Sequence, residues 1–311
     1  MHLLIPFACL QSPAARAALN ECRLPNLHRL LCELEPMAMV LAGDTSLSPP
    51  HERAFALACG IGAPDGLLPL AAHARAVAGH TPGATGWAWV SLVHWDVAAA
   101  HIGMANPATL QLQADESLEL LQAMQPYFTQ DGITLRYESA ARWWASGPAL
   151  GEWASASIDR VLLESDISRW MPAQPILRRL QNEMQMLLYT HPVNTARERR
   201  GATVVNSFWL HGSGVLPSSA QTTSAPGLML DDSLRQAALA LDAPAWAAAW
   251  AAVDAGPCAT LLRALQAGAA VQLTLCGERA TQAFGPRRHR PLQRLIHRLR
   301  APTLAGLWEK L

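Results

Sequence analysis

The chain contains 311 residues, of which 50% are hydrophobic and 15% are charged, and its 24 basic and 24 acidic residues give a formal net charge of zero. This apolar content is enough to bury the core of one large or two ordinary domains, and it excludes an intrinsically disordered chain. Because no net charge creates a long-range field, general attraction to nucleic acid or to an anionic membrane is not expected.

The N-terminal segment and the cysteines indicate a cellular compartment. Residues 1–11 are apolar, but the segment is short, contains Pro6 and lacks a basic leader, so we do not expect a secretory signal peptide. The sequence has no uninterrupted apolar run of about 20 residues that would span a membrane. Its six cysteines form no Cys-x-x-Cys pair, which favours buried thiols in a reducing compartment. We therefore predict a cytoplasmic protein.

Hydrophobic periodicity predicts alternating helices and strands along the chain, beginning with a buried strand at residues 3–8. Aromatic and β-branched residues at 86–95 (GWAWVSLVHW) predict a central strand, and the alternation at 133–138 predicts a half-exposed one. Further strands are predicted at residues 109–113, 161–163, 204–210 and 270–275, and helices at residues 12–20, 24–34, 51–59, 115–124, 176–188, 233–253 and 257–267. This order predicts an α/β fold in which a layered sheet is flanked by helices.

One segment has the composition of a linker. Residues 215–227 (VLPSSAQTTSAPG) are rich in Ser, Thr, Ala and Pro. They would separate a main α/β domain at residues 1–214 from a small C-terminal unit at residues 228–311, which we expect to dock on the main domain. That unit would carry a basic amphipathic helix, with arginines between Arg287 and Arg300 on one face and leucines on the other.

Residues 177–214 concentrate amide, imidazole and guanidinium side chains. Apolar spacing predicts an amphipathic helix at 176–188, and His191-Pro192 ends it and begins a second helix. Asn194 and Arg197 are three positions apart and so share a face of that second helix. A strand at 204–210 would then lead into a glycine-rich loop at 211–214.

This pattern predicts a polar pocket for a small anionic ligand at the carboxyl end of the strand. Arg197 would pair with the anion, Asn194 and Asn206 would orient it, and backbone N–H groups of the glycine-rich loop would cradle it. The candidate ligand-binding residues are Asn182, Glu183, His191, Asn194, Arg197, Asn206, Trp209, His211, Gly212, Ser213 and Gly214. The alternative is structural, with Asn182, Asn194 and Asn206 tying helix ends and loops together through backbone hydrogen bonds.

The segment HPVNTARERRGATVVNSFWLHGSG resembles part of the archaeal-type cofactor-independent phosphoglycerate mutases, members of the alkaline phosphatase superfamily. More of the chain resembles a bacterial group described as regulatory protein of the rpf type or as phosphoglycerate mutase-like. The pieces that carry this second resemblance are residues 50–53 (PHER), the Trp-rich strand ending His94-Trp95, and residues 131–135 (DGITL), 180–183 (LQNE) and 275–279 (LCGER). The resemblance implies a degenerate alkaline-phosphatase-like core, and the group label implies a regulatory role.

The departure from the mutases concerns their metal site. Those enzymes hold two divalent metals with Asp and His residues and carry the phosphoryl group on a Ser or Thr, because the ions stabilise the transferring charge. Their first strand ends in an Asp, whereas the first strand here ends Phe7-Ala8-Cys9-Leu10, and no Asp-His dipeptide occurs. We therefore expect no bound metal, no cofactor and no two-metal phosphoryl transfer.

The leading hypothesis is a non-catalytic, mutase-like regulatory protein, or pseudoenzyme, that binds a small anionic ligand or a protein partner. A second hypothesis is an enzyme of the isomerase or phosphatase type that acts on a phosphate or carboxylate metabolite without the usual metal site, with His191 or His211 as acid or base. A third is an interaction module that uses residues 287–300. Contact with nucleic acid is expected only through that basic helix.

Overall fold

The computed structural model describes residues 1–98, 101–218, 220, 227–286 and 304–311. The described strands are β1 (His2–Cys9), β2 (Leu34–Leu41), β3 (Trp87–Val93), β4 (Trp95–Val97), β5 (Ile102–Met104), β6 (Thr134–Ser139), β7 (Arg142–Ser146), β8 (Ser207–Gly214), β9 (Leu228–Leu230), β10 (Gln272–Gly277) and β11 (Ala280–Pro286). The described helices are α1 (Pro13–Glu21), α2 (Pro25–Glu33), α3 (Pro50–Ala58), α4 (Leu70–Val77), α5 (Ala114–Gln130), α6 (Ile158–Val161), α7 (Pro175–Tyr189), α8 (Pro192–Arg199), α9 (Arg235–Leu239), α10 (Ala243–Val253), α11 (Ala259–Gln266) and α12 (Leu304–Trp308).

The chain divides into two compact units. The first unit comprises Met1–Thr45, Pro49–Cys59 and Ser224–Leu311, and the second comprises Ser46–Ser48 and Gly60–Thr223. The division expected from the sequence kept residues 1–214 together, whereas in the structure the N-terminal segment shares a unit with the C-terminal one. The predicted basic helix at 287–300, and residues 219 and 221–226 of the predicted linker, lie outside the described residues.

A five-stranded mixed sheet in the order β2-β11-β10-β1-β9 forms the centre of the first unit. β1 pairs in parallel with both β9 and β10, so the first strand of the sequence is interior to a sheet completed by the last strands. Seven of the eight residues of β1 are buried, as expected for an apolar strand that neighbouring strands and helices cover. α3 packs on β1 and β10.

A four-stranded antiparallel sheet in the order β6-β7-β3-β8 forms the centre of the second unit. α5 and α7 cover one face of this sheet and share a hydrophobic core with it, which includes Phe128, Leu180 and Phe208. α4 packs near the tryptophans of the opposite face. Because β8 is an edge strand, the side chains and loops beside it have access to space that a neighbouring strand does not fill.

The predicted α/β class, with sheets flanked by helices, is confirmed, but two short strands were predicted wrongly. Residues 109–113 begin inside a 3-10 helix (Pro107–Leu110), and residue 161 ends α6. In both places a side chain starts a helical turn: Asn106 Oδ1 accepts from the Ala108 N–H, and Ser157 Oγ accepts from the Asp159 N–H. In the described part of the chain, no helix combines the length and apolarity needed to cross a bilayer.

Candidate functional site

The sequence suggested Asn182 and Glu183 as inward-facing polar residues of α7, but a different side chain of this helix faces the interior. Asn182 is exposed, and Glu183 lies 3.5 Å from Arg179 in an ion pair along the helix surface. Gln181 instead occupies the inward-facing position and is only 2% exposed. The amide that α7 contributes to the interior is therefore that of Gln181.

Arg197 is fully buried, and its guanidinium group forms hydrogen bonds with other groups of the protein. Its Nε donates to the Thr203 carbonyl at 2.8 Å, NH1 donates to Glu116 Oε2 at 2.7 Å, and NH2 donates to the Leu110 carbonyl. The second oxygen of Glu116 accepts from Arg200 at 2.6 Å. An external anion would have to displace Glu116, so these contacts give Arg197 a structural role in joining α8 to α5.

The side chains of Asn194 and Asn206 bind the backbone, as the structural alternative for these residues expects. Asn194 donates to the Leu188 and Val205 carbonyls at 2.8 and 2.6 Å, and its Oδ1 accepts from the Val205 N–H at 2.9 Å. Asn206 accepts from the Trp95 N–H at 2.7 Å and donates to the Trp95 carbonyl at 2.9 Å. Each amide thus bonds backbone groups at the ends of neighbouring segments, and neither is directed at a ligand pocket.

The two candidate histidines each contact groups of the protein. His191 is the N-cap of α8, where its Nδ1 accepts from the Val193 N–H at 3.2 Å, and burial lowers the pKa of the imidazole. His211 is 5% exposed, its Nε2 lies 3.0 Å from Ser91 Oγ, and its ring centroid lies 5.5 Å from that of Trp89. Only the neutral form of His191 has a lone pair to cap the helix, which agrees with the direction of its pKa shift.

The prediction of a glycine-rich loop at 211–214 is wrong, because these residues continue β8 in antiparallel pairing with β3. Gly212 and Ser213 together face the single residue Ala88, which is a β-bulge. Gly212 has φ +64°, and a Cβ there would lie 2.7 Å from the Trp89 ring. Glycine at position 212 therefore allows the positive φ of the bulge and leaves room for the Trp89 indole.

The sheet of the second unit separates the predicted site residues. Trp209 and His211 alternate with Phe208 and Leu210 along β8 and so lie on opposite faces from them. Val193 of α8 packs in the same core as Phe208, which places α8 on the α5–α7 side of the sheet. The polar groups of α8 and those of Trp209 and His211 therefore do not converge on one cleft.

A cavity of about 240 Å³ lies beside β8 in the second unit. Its lining residues are Leu47, Ala154, Ser155, Ala156, Arg169, Trp170, Met171, Pro172, Ala173, Gln174, Leu177, Gln181, Trp209 and Leu210. This volume is somewhat below the range of about 300–1,000 Å³ for pockets that enclose drug-sized ligands. The cavity therefore suits a small metabolite.

Two amide side chains of this cavity have an oxygen without a hydrogen bond. Gln174 Nε2 donates to the Ala154 carbonyl at 3.3 Å, and Gln181 Nε2 donates to the Phe208 carbonyl at 3.5 Å. Because a carbonyl only accepts, each amide has to turn its NH2 group toward it, which fixes where the oxygen points. Neither Oε1 atom has a hydrogen-bond partner among the described residues, and the same holds for the indole Nε1 of Trp170.

Such atoms are costly inside a folded protein. A buried donor or acceptor without a partner destabilises the folded state by about 1–3 kcal/mol, so each one calls for an explanation such as a bound molecule. Two acceptors and one donor of this kind belong to residues that line a single cavity. We therefore identify this cavity as the candidate functional site.

Two of the predicted site residues hold one wall of the cavity in place. Trp209 lines the cavity and donates from its Nε1 to the Ala156 carbonyl at 2.9 Å. Ser213 donates to the Trp153 carbonyl at 2.7 Å, and its hydroxyl lies 3.1 Å from that of Ser155. These hydrogen bonds hold residues 153–156 against β8. The strand that was predicted to contact the ligand therefore supports one wall of the cavity.

Among the described residues that line the cavity, Arg169 is the only charged one. It is exposed, forms an ion pair with Glu164, and its guanidinium carbon lies 4.6 Å from the Trp170 ring centroid. Glu164 offsets its charge and Trp170 fixes its orientation. The cavity therefore offers polar but nearly neutral surroundings.

Sequence reasoning missed Gln174, Ser155 and the role of Gln181. For Gln181 a signal existed: it follows Leu177 by four positions and precedes Met184 by three, so it lies in the apolar stripe of α7. A polar residue in such a stripe faces the interior. Gln174 and Ser155 lie in irregular segments, where no periodicity predicts which side chains face inward.

No protein-family model matches the sequence, and a search of curated proteins also gave no match. Among solved structures, the chain is similar to a cofactor-independent phosphoglycerate mutase from Thermoplasma acidophilum, at 12% identity and a TM-score of 0.37 over 92% of this chain and 90% of that one. It is also similar to the PH0037 protein from Pyrococcus horikoshii, at 12% identity and a TM-score of 0.42 over 93% and 88% of the two chains. Both similarities are distant, so the role of each residue rests on its own contacts.

Proposed function

We propose that this protein binds a small uncharged organic molecule in the cavity of its second unit, and that binding, without turnover, is its function. The observation that carries the proposal is the pair of amide oxygens of Gln174 and Gln181, fixed in orientation and without hydrogen-bond partners among the described residues. A ligand that donates to both oxygens would remove the cost of two buried acceptors without a hydrogen bond.

The lining indicates the chemistry of this ligand. Leu177, Trp209 and Leu210 supply apolar surface for its body, and the two amide oxygens require N–H or O–H donors. The Trp170 indole N–H would donate a hydrogen bond to one acceptor atom of the ligand. A compound with hydroxyl or amide groups and a short apolar body meets these requirements.

The contacts support an uncharged ligand better than the anion expected from the sequence. Arg197 forms an ion pair with Glu116, and Arg169 forms one with Glu164. The structural contacts of His191 and His211 support binding over catalysis. The proposal retains the regulatory role that the sequence resemblance implies. Binding of the ligand would be the signal to which the protein responds.

The proposal is tested by nuclear magnetic resonance of the indole N–H groups, with a collection of small neutral alcohols and amides as probes. A bound probe is expected to shift the Trp170 and Trp209 indole signals, which Trp→Phe variants assign. Gln181→Leu and Gln174→Leu are expected to weaken the same probe at least about tenfold, since each removes a buried acceptor.

The matched control is Gln185→Leu, which makes the same change one turn further along α7, outside the cavity lining. It is expected to leave affinity within about twofold. Shifts confined to other tryptophans, or equal affinity in all three variants, would contradict the proposal. Turnover of phosphoglycerates by the purified protein would contradict the absence of catalysis.

A further inference from the structure

A row of large side chains crosses the face of the second-unit sheet that carries Trp89. Arg136 of β6, Trp144 of β7, Trp89 of β3 and His211 of β8 are direct cross-strand neighbours in that order. Residues directly opposite each other in antiparallel strands project to the same face. The Trp89 ring centroid lies 5.7 Å from that of Trp144 and 5.5 Å from that of His211, so the row is in contact at its centre.

Arg75 extends from the last turn of α4 over the same face. Its guanidinium carbon lies 4.6 Å from the Trp87 ring centroid and 5.5 Å from that of Trp144. Trp87 is 6% and Trp144 is 9% exposed, so packed indoles fix the position of the cation. The indole faces and the carboxyl end of a helix both stabilise a positive charge there.

Three described arginines lie on this face together with the carboxylate of Glu138. We use the name arginine–tryptophan cluster for Arg75, Arg136, Arg142, Trp87, Trp89 and Trp144. Arg142 stacks 4.8 Å from the Trp89 ring and is paired with Glu138 at 2.6 and 3.0 Å, while Arg136 is exposed. Among the described residues, the one carboxylate that acts on Arg75 is that of Glu138, and it is already bonded to Arg142.

Arg75 shows the consequence of this imbalance. Its pKa is lowered, first by burial and then by the positive charge of Arg136, with Glu138 acting in the opposite direction. Its Nε is buried and has no hydrogen-bond partner in the described parts of the chain. An additional negative group near Arg75 and Arg136 would relieve both the repulsion and the partial desolvation.

We propose that the arginine–tryptophan cluster is a second binding site, separate from the cavity, which holds the phosphate group of a small molecule. Guanidinium groups bind oxyanions through forked N–H donors. A tetrahedral phosphate presents oxygens in several directions, so it can accept from arginines on α4, β6 and β7 at once. Trp87 and Trp144 hold Arg75 in place beforehand, which lowers the entropic cost of binding.

The test is calorimetric titration of the full chain at low ionic strength with inorganic phosphate and, separately, with methyl phosphate; sodium chloride at matched ionic strength serves as the blank. Arg136→Gln is expected to weaken phosphate about fivefold, because it removes one exposed charge without touching the core. Glu138→Gln is expected to strengthen binding about threefold, because it removes the competing carboxylate. Stronger binding of methyl phosphate would identify a phosphorylated metabolite, and stronger binding of inorganic phosphate a free-phosphate site.

Two controls separate this site from general charge attraction and from the cavity. Arg199→Gln removes an exposed arginine of α8 and is expected to leave phosphate affinity within about twofold. Gln181→Leu, which affects the cavity, is expected to leave it unchanged. The absence of phosphate binding, equal losses in Arg136→Gln and Arg199→Gln, or weaker binding in Glu138→Gln would overturn the proposal.

Discussion

Arg197 and Glu116 are 81 residues apart in the sequence and form an ion pair of 2.7 Å in the interior of the second unit. The side chain of Arg197 has no exposed surface, and that of Glu116 is 10% exposed. The pair joins α8 to α5. The guanidinium that the sequence pattern suggested for an external anion thus binds a carboxylate of the same chain.

Arg197→Met is expected to lower the free energy of unfolding by about 3–5 kcal/mol, because it removes the buried cation of the pair and leaves the Glu116 carboxylate with the exposed Arg200 as its arginine partner. Urea denaturation measures the change. Arg200→Gln is the matched control and is expected to cost at most about 1 kcal/mol, since the Arg200 side chain is 48% exposed. Equal losses in the two variants would show that burial of the ion pair has no special role.

The stability of the protein is expected to depend on the protonation of His191. Its pKa in the folded state lies below the ordinary 6.5, because burial disfavours the imidazolium. As pH falls below about 6.5, the unfolded chain takes up the proton before the folded one does. The free energy of unfolding therefore falls with pH until the folded imidazole is protonated too.

His191→Asn replaces the Nδ1 acceptor at the N-cap with a side-chain oxygen and removes the titration. Between about pH 7.5 and pH 5.5 this variant is expected to lose less stability than the parent in chemical denaturation. The drop that remains reports other groups, including His2, whose pKa burial also lowers. An identical drop in variant and parent would contradict the assignment.

Gln181→Met is expected to raise the free energy of unfolding by about 1 kcal/mol while weakening the binding of neutral probes at least about tenfold. The substitution removes a buried oxygen without a hydrogen bond in the described chain and gives up only a long 3.5 Å bond to the Phe208 carbonyl. Opposite effects on stability and binding are typical of a functional site. A loss of more than about 1 kcal/mol would show that this amide stabilises the fold.

Gly212→Ala is expected to destabilise the protein by about 2–4 kcal/mol, because strain at φ +64° adds to a clash with the Trp89 ring. Gly201→Ala is the matched control. Its φ is +71°, but a Cβ there would meet no atom within 4 Å, so it is expected to cost only about 1 kcal/mol. Thermal unfolding of both variants measures the difference. Equal effects would mean that the bulge moves aside at no cost.

Several elements followed from local sequence signals. The apolar stripe of α7 and the proline at the start of α8 were predicted from the sequence, and Gly201 adopts the left-handed conformation expected after a helix. The glycines at 212 and 214 were misread, because a β-bulge and a loop have the same composition. Pairing with β3, which lies about 120 residues earlier (Ser91 bonds His211), decides between them.

By itself the sequence determined the α/β class and the positions of most helices and of strands β1, β3, β6, β8 and β10, because backbone propensity and hydrophobic periodicity act over a few neighbouring residues. It did not predict β2, β7 or β11, which complete the two sheets. Only the tertiary structure decided which polar side chains have partners. Arg197 finds Glu116 across the core, whereas the oxygens of Gln174 and Gln181 find none in the described chain. That outcome depends on contacts between distant segments, which no local pattern encodes, and it moves the candidate site from α8 to the cavity beside β8.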